Sequence, residues 1–120
     1  MSFEPVHILP PGRTLGEGQS RSFEVRLDGI PRGAFAVRWH GSTFAYVNTC
    51  RHQSQPLDFG DGRFFDEACD ALVCCHHGAR YAPDSGLCVA GPCAGRSLTA
   101  LQLESREDGL WCTGLCRTEG

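Results

Sequence analysis

The sequence contains no lysine, so all of its 11 basic residues are arginines. They are outnumbered by 14 acidic residues, and the formal net charge is −3. Proteins that bind nucleic acids usually carry clustered lysines and arginines that neutralise the phosphates. We therefore expect no nucleic-acid partner.

Long apolar runs are also lacking. No stretch reaches the roughly 18 consecutive apolar residues that indicate a membrane span. At the N-terminus, Glu4, Pro5 and His7 interrupt the apolar run that a secretory signal needs, and no basic residue precedes them. These absences predict a cytoplasmic protein without a membrane span. In that compartment cysteines are usually thiols, metal ligands or catalytic groups rather than disulfides.

A length of 120 residues predicts one domain over 1–120. Alternating apolar residues predict strands at both ends of the chain, over 22–27, 34–39, 43–47, 98–104 and 110–113. Turns are expected over 28–33, 40–42 and 108–109, and residues 1–20 read as an irregular lead-in. No segment favours a helix. The ends therefore predict an antiparallel β scaffold.

The middle of the chain, residues 48–96, has a different composition. It holds six of the eight cysteines and three of the five histidines, with many glycines, prolines and aspartates. Its one strong strand pattern lies over 71–74. A loop-rich segment between two groups of strands indicates a functional insertion.

Two short motifs in this segment carry candidate metal ligands. They are Cys50-x-His52 and Cys74-x-x-His77, separated by 21 residues, and each follows a predicted strand. Two thiolates and two imidazoles can hold zinc or a two-iron, two-sulfur cluster. Zinc fingers usually pair cysteine with cysteine and histidine with histidine, whereas each motif here supplies one of each. That arrangement favours a cluster between two loops, and the glycine at 78 would allow the backbone to approach it closely.

The motifs resemble those of Rieske proteins. Cys50-Arg51-His52 and Cys74-x-x-His77-Gly78-x-x-Tyr81 are similar to the two cluster-binding boxes, and the run from Pro83 to Gly91-Pro92 is similar to the third loop. The resemblance covers about residues 20–113. It implies an all-β fold of three antiparallel sheets, with a cluster-binding subdomain (about 48–96) inserted in a β base. It also implies one [2Fe-2S] cluster per chain, bound by Cys50, His52, Cys74 and His77 and surrounded by Gly78, Tyr81, Gly91 and Pro92.

The departures from the family pattern point away from the high-potential complex subunits and towards ferredoxins and oxygenase-type domains. Respiratory and photosynthetic Rieske proteins carry a disulfide between the two loops, but the corresponding positions here are Gln55 and His76. High-potential members place a serine where Ala79 stands, so one hydrogen-bond donor to the cluster sulfurs is missing. Such hydrogen bonds raise the reduction potential. The resemblance therefore implies a potential in the lower half of the Rieske range.

The predicted function is one-electron transfer from a reductase to an oxygenase or another redox partner, by a monomeric carrier without catalytic residues of its own. The histidines outside the motifs lack the spacing of a 2-His-1-carboxylate iron site. Two alternatives stay open. One is a non-catalytic or regulatory subunit, like the small subunit of nitrite reductases, and the other is a structural zinc protein.

The remaining chemistry-bearing residues have plainer interpretations. Cys88 and Cys112 are expected to be small apolar core residues, whereas the roles of Cys69, Cys75, Cys93 and Cys116 stay open. Both tryptophans, Trp39 and Trp111, are expected in the core. His7 and His40 are expected in turns or at the surface. Arg80 is interpreted either as a contact for an acidic partner or as a solvated residue. The acidic residues 58–70 are interpreted as a solvated lobe.

Overall fold

The computed structural model describes residues 4–27, 29–49, 57, 64–66, 70–74, 78–91 and 95–115. These residues form nine strands and no helix, which confirms the all-β prediction. The strands are β1 (Val6–Leu9), β2 (Ser20–Leu27), β3 (Ile30–Trp39), β4 (Ser42–Val47), β5 (Leu72–Val73), β6 (Arg80–Tyr81), β7 (Cys88–Ala90), β8 (Ala100–Arg106) and β9 (Gly109–Leu115).

The strands of the two chain ends form a six-stranded antiparallel base in the order β1-β9-β8-β4-β3-β2. Its two halves meet at a short seam, because β4 and β8 pair only at Ala45 with Leu101 and at Tyr46 with Ala100. Strands β5, β6 and β7 form a separate three-stranded sheet. The described residues thus form two antiparallel sheets, one of six strands and one of three, where the resemblance implied three.

Two details of the sequence prediction are wrong. Residues 1–20 include β1, whose His7 pairs with Trp111 of β9. The turn predicted over 28–33 is too long, because β3 already begins at Ile30 and Pro31 pairs with Arg26. Pairing of β3 with β4 begins only at Ala34. Pro31 therefore has a neighbour on one side only, where a missing N–H is tolerated.

The tryptophans lie outside the described core, contrary to prediction. Trp39 is half-buried and its ring stacks on the exposed His40, with 3.7 Å between centroids. Trp111 stacks on the exposed His7 at 4.9 Å. Each indole therefore covers the rim of the base with a histidine instead of filling its interior.

Two clusters of buried side chains divide the interior. One fills the base and includes Val25, Ala36 and Cys112. The other joins the base to the small sheet and is called the joining core. It combines Phe35, Val37 and Tyr46 of the base with Leu57, Phe64, Leu72, Cys74, Ala79, Tyr81, Cys88 and Leu98. Burial of Cys88 and Cys112 confirms their predicted place in the core.

Tyr46 fastens the base to the turn before β7. Its hydroxyl donates a buried hydrogen bond of 2.7 Å to the carbonyl of Pro83. Its ring also lies against Gly86, where an added Cβ would stand 2.7 Å from the tyrosine Cε1. Gly86 has φ +74°, a conformation that other residues adopt at a cost. Both the backbone and the ring therefore require glycine at this position.

We predict that Gly86→Ala destabilises the fold more than Gly12→Ala. Gly12 has nearly the same backbone, φ +77°, but nothing lies within 4 Å of an added Cβ. The control, Gly12→Ala, should lower the free energy of unfolding only by the backbone strain of about 1–2 kcal/mol. Gly86→Ala should add an overpacking cost of roughly 1–3 kcal/mol. Urea unfolding midpoints measure both, and equal losses would show that the contact with Tyr46 is unimportant.

The turn between β3 and β4 is held by a carboxylate from another segment. His40 and Gly41 have φ values of +51° and +80°, as in a type I′ hairpin turn. Their backbone N–H groups donate to the two carboxylate oxygens of Glu17, at 2.6 and 3.0 Å. These hydrogen bonds, from Gly41 first and then from His40, lower the pKa of Glu17.

We predict that Glu17→Gln weakens the fold in a pH-dependent way. A pKa lowered by folding stabilises the native state above the unfolded pKa, and this contribution is lost as the pH falls through the folded pKa. The melting temperature of the variant should therefore fall furthest below that of the wild type near pH 7. The difference in melting temperature between the variant and the wild type should narrow below about pH 4.3, the ordinary glutamate pKa.

Glu24→Gln, which removes the same charge from β2, controls for net charge. A gap between wild type and Glu17→Gln that stays constant with pH would contradict the role assigned to the Glu17 carboxylate.

Candidate metal centre

The second predicted ligand loop begins at the end of β5. Cys74 follows Val73 directly and is fully buried. Its backbone N–H donates to the carbonyl of Ala79, and its carbonyl accepts from the N–H of Gly78, both at 2.9 Å. The two ends of the loop are thus fixed by the backbone, and the thiol of Cys74 is held in a dry environment.

Two glycines shape the backbone around this loop. Gly78 has φ +73° with open space around an added Cβ, so the conformation, and not crowding, calls for glycine. Gly91 has φ +97°, and an added Cβ would lie 2.9 Å from the Cα of Ala79. The end of the predicted third loop therefore packs directly on the backbone of the second.

The first predicted ligand loop is closed by an asparagine. The backbone N–H of Asn48 donates to the carbonyl of Gly33, at 2.9 Å, which ties Asn48 to β3. Its side-chain Oδ1 accepts a hydrogen bond of 2.8 Å from the N–H of Leu57, which is fully buried. The chain therefore leaves the base at Asn48 and returns beside it at Leu57, with Cys50 and His52 on the segment between them.

Tyr81 lies on β6 with its side chain fully buried. It pairs with Leu72 of β5 and Cys88 of β7, and shares the joining core with Cys74. Tyr81 is therefore buried in the same cluster as Cys74, and its predicted place around the metal centre stays a prediction.

Arg80 and Asp66 form an ion pair that the sequence did not reveal. The guanidinium of Arg80 donates to Oδ2 of Asp66. The side chain of Asp66 is only 14% exposed, so Asp66 is not part of a solvated lobe. Arg80 is therefore paired within the chain while 43% of its side chain stays exposed, and a contact with an acidic partner stays a prediction.

Four of the eight predicted site residues lie among the residues that the structure describes. The structure brings Cys74, Gly78, Tyr81 and Gly91 to the small sheet, through the contacts given above. Cys50, His52, His77 and Pro92 lie outside the described residues, as do Cys69, Cys75, Cys93 and Cys116. Within the described ranges, no three His, Cys, Asp or Glu side chains are grouped to hold a metal ion.

The described frame suits a cluster with mixed sulfur and nitrogen ligands. Iron–sulfur clusters take thiolate ligands, and their potentials depend on burial and on hydrogen bonds to sulfur. Cys74 supplies a buried sulfur, while Gly78 and Gly91 keep side chains away from the loop backbones. The motifs Cys50-x-His52 and Cys74-x-x-His77 each supply one cysteine and one histidine, which matches the ligand count of such a centre.

Comparison with known proteins decides the family. Residues 8–105 match the Rieske [2Fe-2S] domain. The chain belongs to this family. Membership identifies a [2Fe-2S] cluster as the cofactor and electron transfer as its chemistry. No curated protein shows significant similarity in sequence.

Solved Rieske structures share the fold. The ferredoxin of carbazole 1,9a-dioxygenase from Nocardioides aromaticivorans IC177 is 24% identical, with a TM-score of 0.67 over 92% of this chain and 97% of that chain. A chain in the complex of reduced oxygenase and oxidized ferredoxin in carbazole 1,9a-dioxygenase is 21% identical. Its TM-score is 0.69, and the match covers 96% of this chain and 97% of that chain.

A larger protein contains the same fold as one part. The terminal oxygenase of carbazole 1,9a-dioxygenase from Novosphingobium sp. KA1 is 16% identical, with a TM-score of 0.63. The match covers 98% of this chain but 31% of that one. Among the described residues of the Rieske chain, no helix is long and apolar enough to cross a membrane.

We predict that Cys74→Ala abolishes cluster binding, whereas Cys88→Ala preserves it. Both thiols are buried in the joining core, so the two variants lose the same side-chain atoms from the same environment. Only Cys74 lies at the end of a ligand loop. Iron and acid-labile sulfide per chain, with the visible absorption spectrum, measure the outcome. Equal cluster content in the two variants would reject Cys74 as a ligand.

Proposed function

We propose that this Rieske protein is a small, low-potential ferredoxin that carries single electrons from a reductase to an oxygenase or another redox partner. The observation that carries the proposal is the buried Cys74 at the backbone-closed end of β5, inside a matched Rieske domain. In this assignment Cys50 and Cys74 bind one iron, and His52 and His77 bind the other. When bound, the cluster takes up and releases one electron.

The chain provides ligation, burial and control of a proton. Cys74 lies in a core that excludes water, which strengthens its interaction with a cationic metal. His52 and His77 would each hold the cluster through one ring nitrogen and would carry a proton on the other, so that this proton would respond to the charge of the iron.

A low potential is supported by the side chain at position 79. Ala79 is fully buried, and its Cα lies against Gly91, so the two loops meet at a methyl group and a glycine. Neither residue offers a side-chain donor to cluster sulfur, and hydrogen bonds to sulfur raise the potential of iron–sulfur centres. High-potential Rieske proteins have a serine at this position, and Ala79 stands in its place here.

An oxygenase partner is supported by the neighbours. The chain matches nearly the whole length of a carbazole dioxygenase ferredoxin and less than a third of a terminal oxygenase. The likeness to a ferredoxin supports an electron-carrying component of an oxygenase system.

We predict a reduction potential below about +75 mV, the middle of the roughly −150 to +300 mV Rieske range. Redox titration of the visible spectrum measures it. When the dithionite-reduced protein is mixed with an oxidised Rieske oxygenase in a stopped-flow instrument, it should be reoxidised rapidly. Each chain should transfer one electron. A potential near the top of the range contradicts the low-potential assignment.

Two further outcomes distinguish the alternatives. Stable copurification of the chain with one large oxidoreductase, with no transfer to free oxygenase, would identify a subunit instead of a carrier. Zinc in place of iron and sulfide in protein purified without oxygen would identify a structural metal site.

A further inference from the structure

One carboxylate contacts both the segment that leads into β5 and a side chain of β6, the two strands that flank the second ligand loop. Oδ1 of Asp66 accepts hydrogen bonds from the backbone N–H groups of Asp70, at 2.8 Å, and Ala71, at 3.4 Å, directly before β5. Oδ2 accepts from the guanidinium of Arg80 on β6. Since β5 leads into Cys74 and β6 follows the loop, Asp66 ties the two stems of the loop together.

Asp66 itself is firmly held. Its backbone N–H donates to the carbonyl of Ala71 at 3.0 Å, and the carbonyl of Phe64 accepts from Val73 at 2.8 Å. Phe64 is buried and stacks on Phe35 of the base, with ring centroids 4.0 Å apart. The carboxylate is therefore fixed relative to the base as well as to the small sheet.

The pair combines a fixed anion with a cation near the ligand loop. Burial alone would raise the pKa of Asp66, but the N–H groups of Asp70 and Ala71 and the charge of Arg80 outweigh it and lower the pKa. Asp66 is thus ionised at neutral pH. Arg80 lies opposite Val73, one residue before Cys74, and its side chain is 43% exposed. A charge at this place acts on the ligand loop through a partly aqueous medium.

We propose that Asp66 is a positioning residue for the second ligand loop, and that the Asp66–Arg80 pair sets the reduction potential by balancing charge beside it. The proposal rests on the proposed function, because it needs a cluster bound at Cys74. Reduction adds one negative charge to the centre. The positive charge of Arg80 without Asp66 therefore stabilises the reduced cluster. The negative charge of Asp66 without Arg80 destabilises it.

Three variants test the charge balance. Asp66→Asn keeps an oxygen for the N–H groups of Asp70 and Ala71 but leaves Arg80 unbalanced, so the potential should rise. Arg80→Gln leaves Asp66 unbalanced, so the potential should fall. The double variant should return close to the wild type. Both shifts should shrink as salt is raised towards 1 M, where the Debye length is about 3 Å.

A second ion pair in the chain supplies the matched control. Arg106 and Glu104 pair at 2.9 Å on β8, with side chains 41% and 52% exposed. These residues lie on the part of β8 that pairs with β9 and not with β4. Glu104→Gln changes the net charge by the same amount as Asp66→Asn, and it should leave the potential unchanged.

The positioning role has its own readout. Amide hydrogen exchange at Asp70 and Ala71 should accelerate in Asp66→Ala, which removes both acceptors, and stay near the wild-type rate in Asp66→Asn. Exchange that is unchanged in Asp66→Ala would overturn this part of the proposal.

The outcomes separate this inference from the proposed function. Shifts of the same sign in both single variants, or no shift in either, would overturn the charge balance while the cluster remains intact. If Asp66→Asn fails to assemble a cluster, a lower potential in Arg80→Gln still supports the balance, and an unchanged one overturns it. A wild-type protein without a cluster would instead contradict the proposed function.

Discussion

The metal centre depends on the apolar core that joins the three-stranded sheet to the six-stranded base. β5 and β6 have two residues each, and strands this short are not stable without tertiary packing. Leu72 and Tyr81 turn their side chains into the joining core, and the ring of Phe35 meets them from the base. Because Cys74 belongs to the same core, packing holds the sulfur where the ligand loop begins. Burial of apolar surface thus fixes the frame of the electron-transfer site.

Polar contacts then fasten each loop to that frame. Asn48 closes the first loop, Asp66 ties the stems of the second, and the hydroxyl of Tyr46 holds the beginning of the third at Pro83. All three accept or donate to backbone groups, so they position the chain and leave the ligand side chains to the metal. A preorganised site of this kind needs little rearrangement when charge changes, which suits a carrier that must gain and lose an electron quickly.

Alternating strands and ligand motifs are predictable from this sequence, whereas most of the short strands and the tertiary contacts are not. The prediction found β2, β3, β4, β8 and β9 from their alternating apolar residues, and it found the two-residue β5 from the apolar run over 71–74. β1, β6 and β7 have two to four residues, too few to show an alternation. Cys74 was identified by its spacing from His77, whereas Asp66 and Arg80 meet across 14 residues and Asn48 and Leu57 across nine. No periodicity or motif indicates which polar residues will meet over such separations.

The most direct test of the central claim is pulsed electron paramagnetic resonance of the dithionite-reduced protein, grown with 15N-labelled histidine. A cluster bound by one cysteine and one histidine from each of two loops predicts an average g value below 2 and hyperfine coupling to two inequivalent histidine nitrogens. His77→Ala should remove one of these couplings or the whole signal. A reduced cluster without histidine coupling would contradict the account.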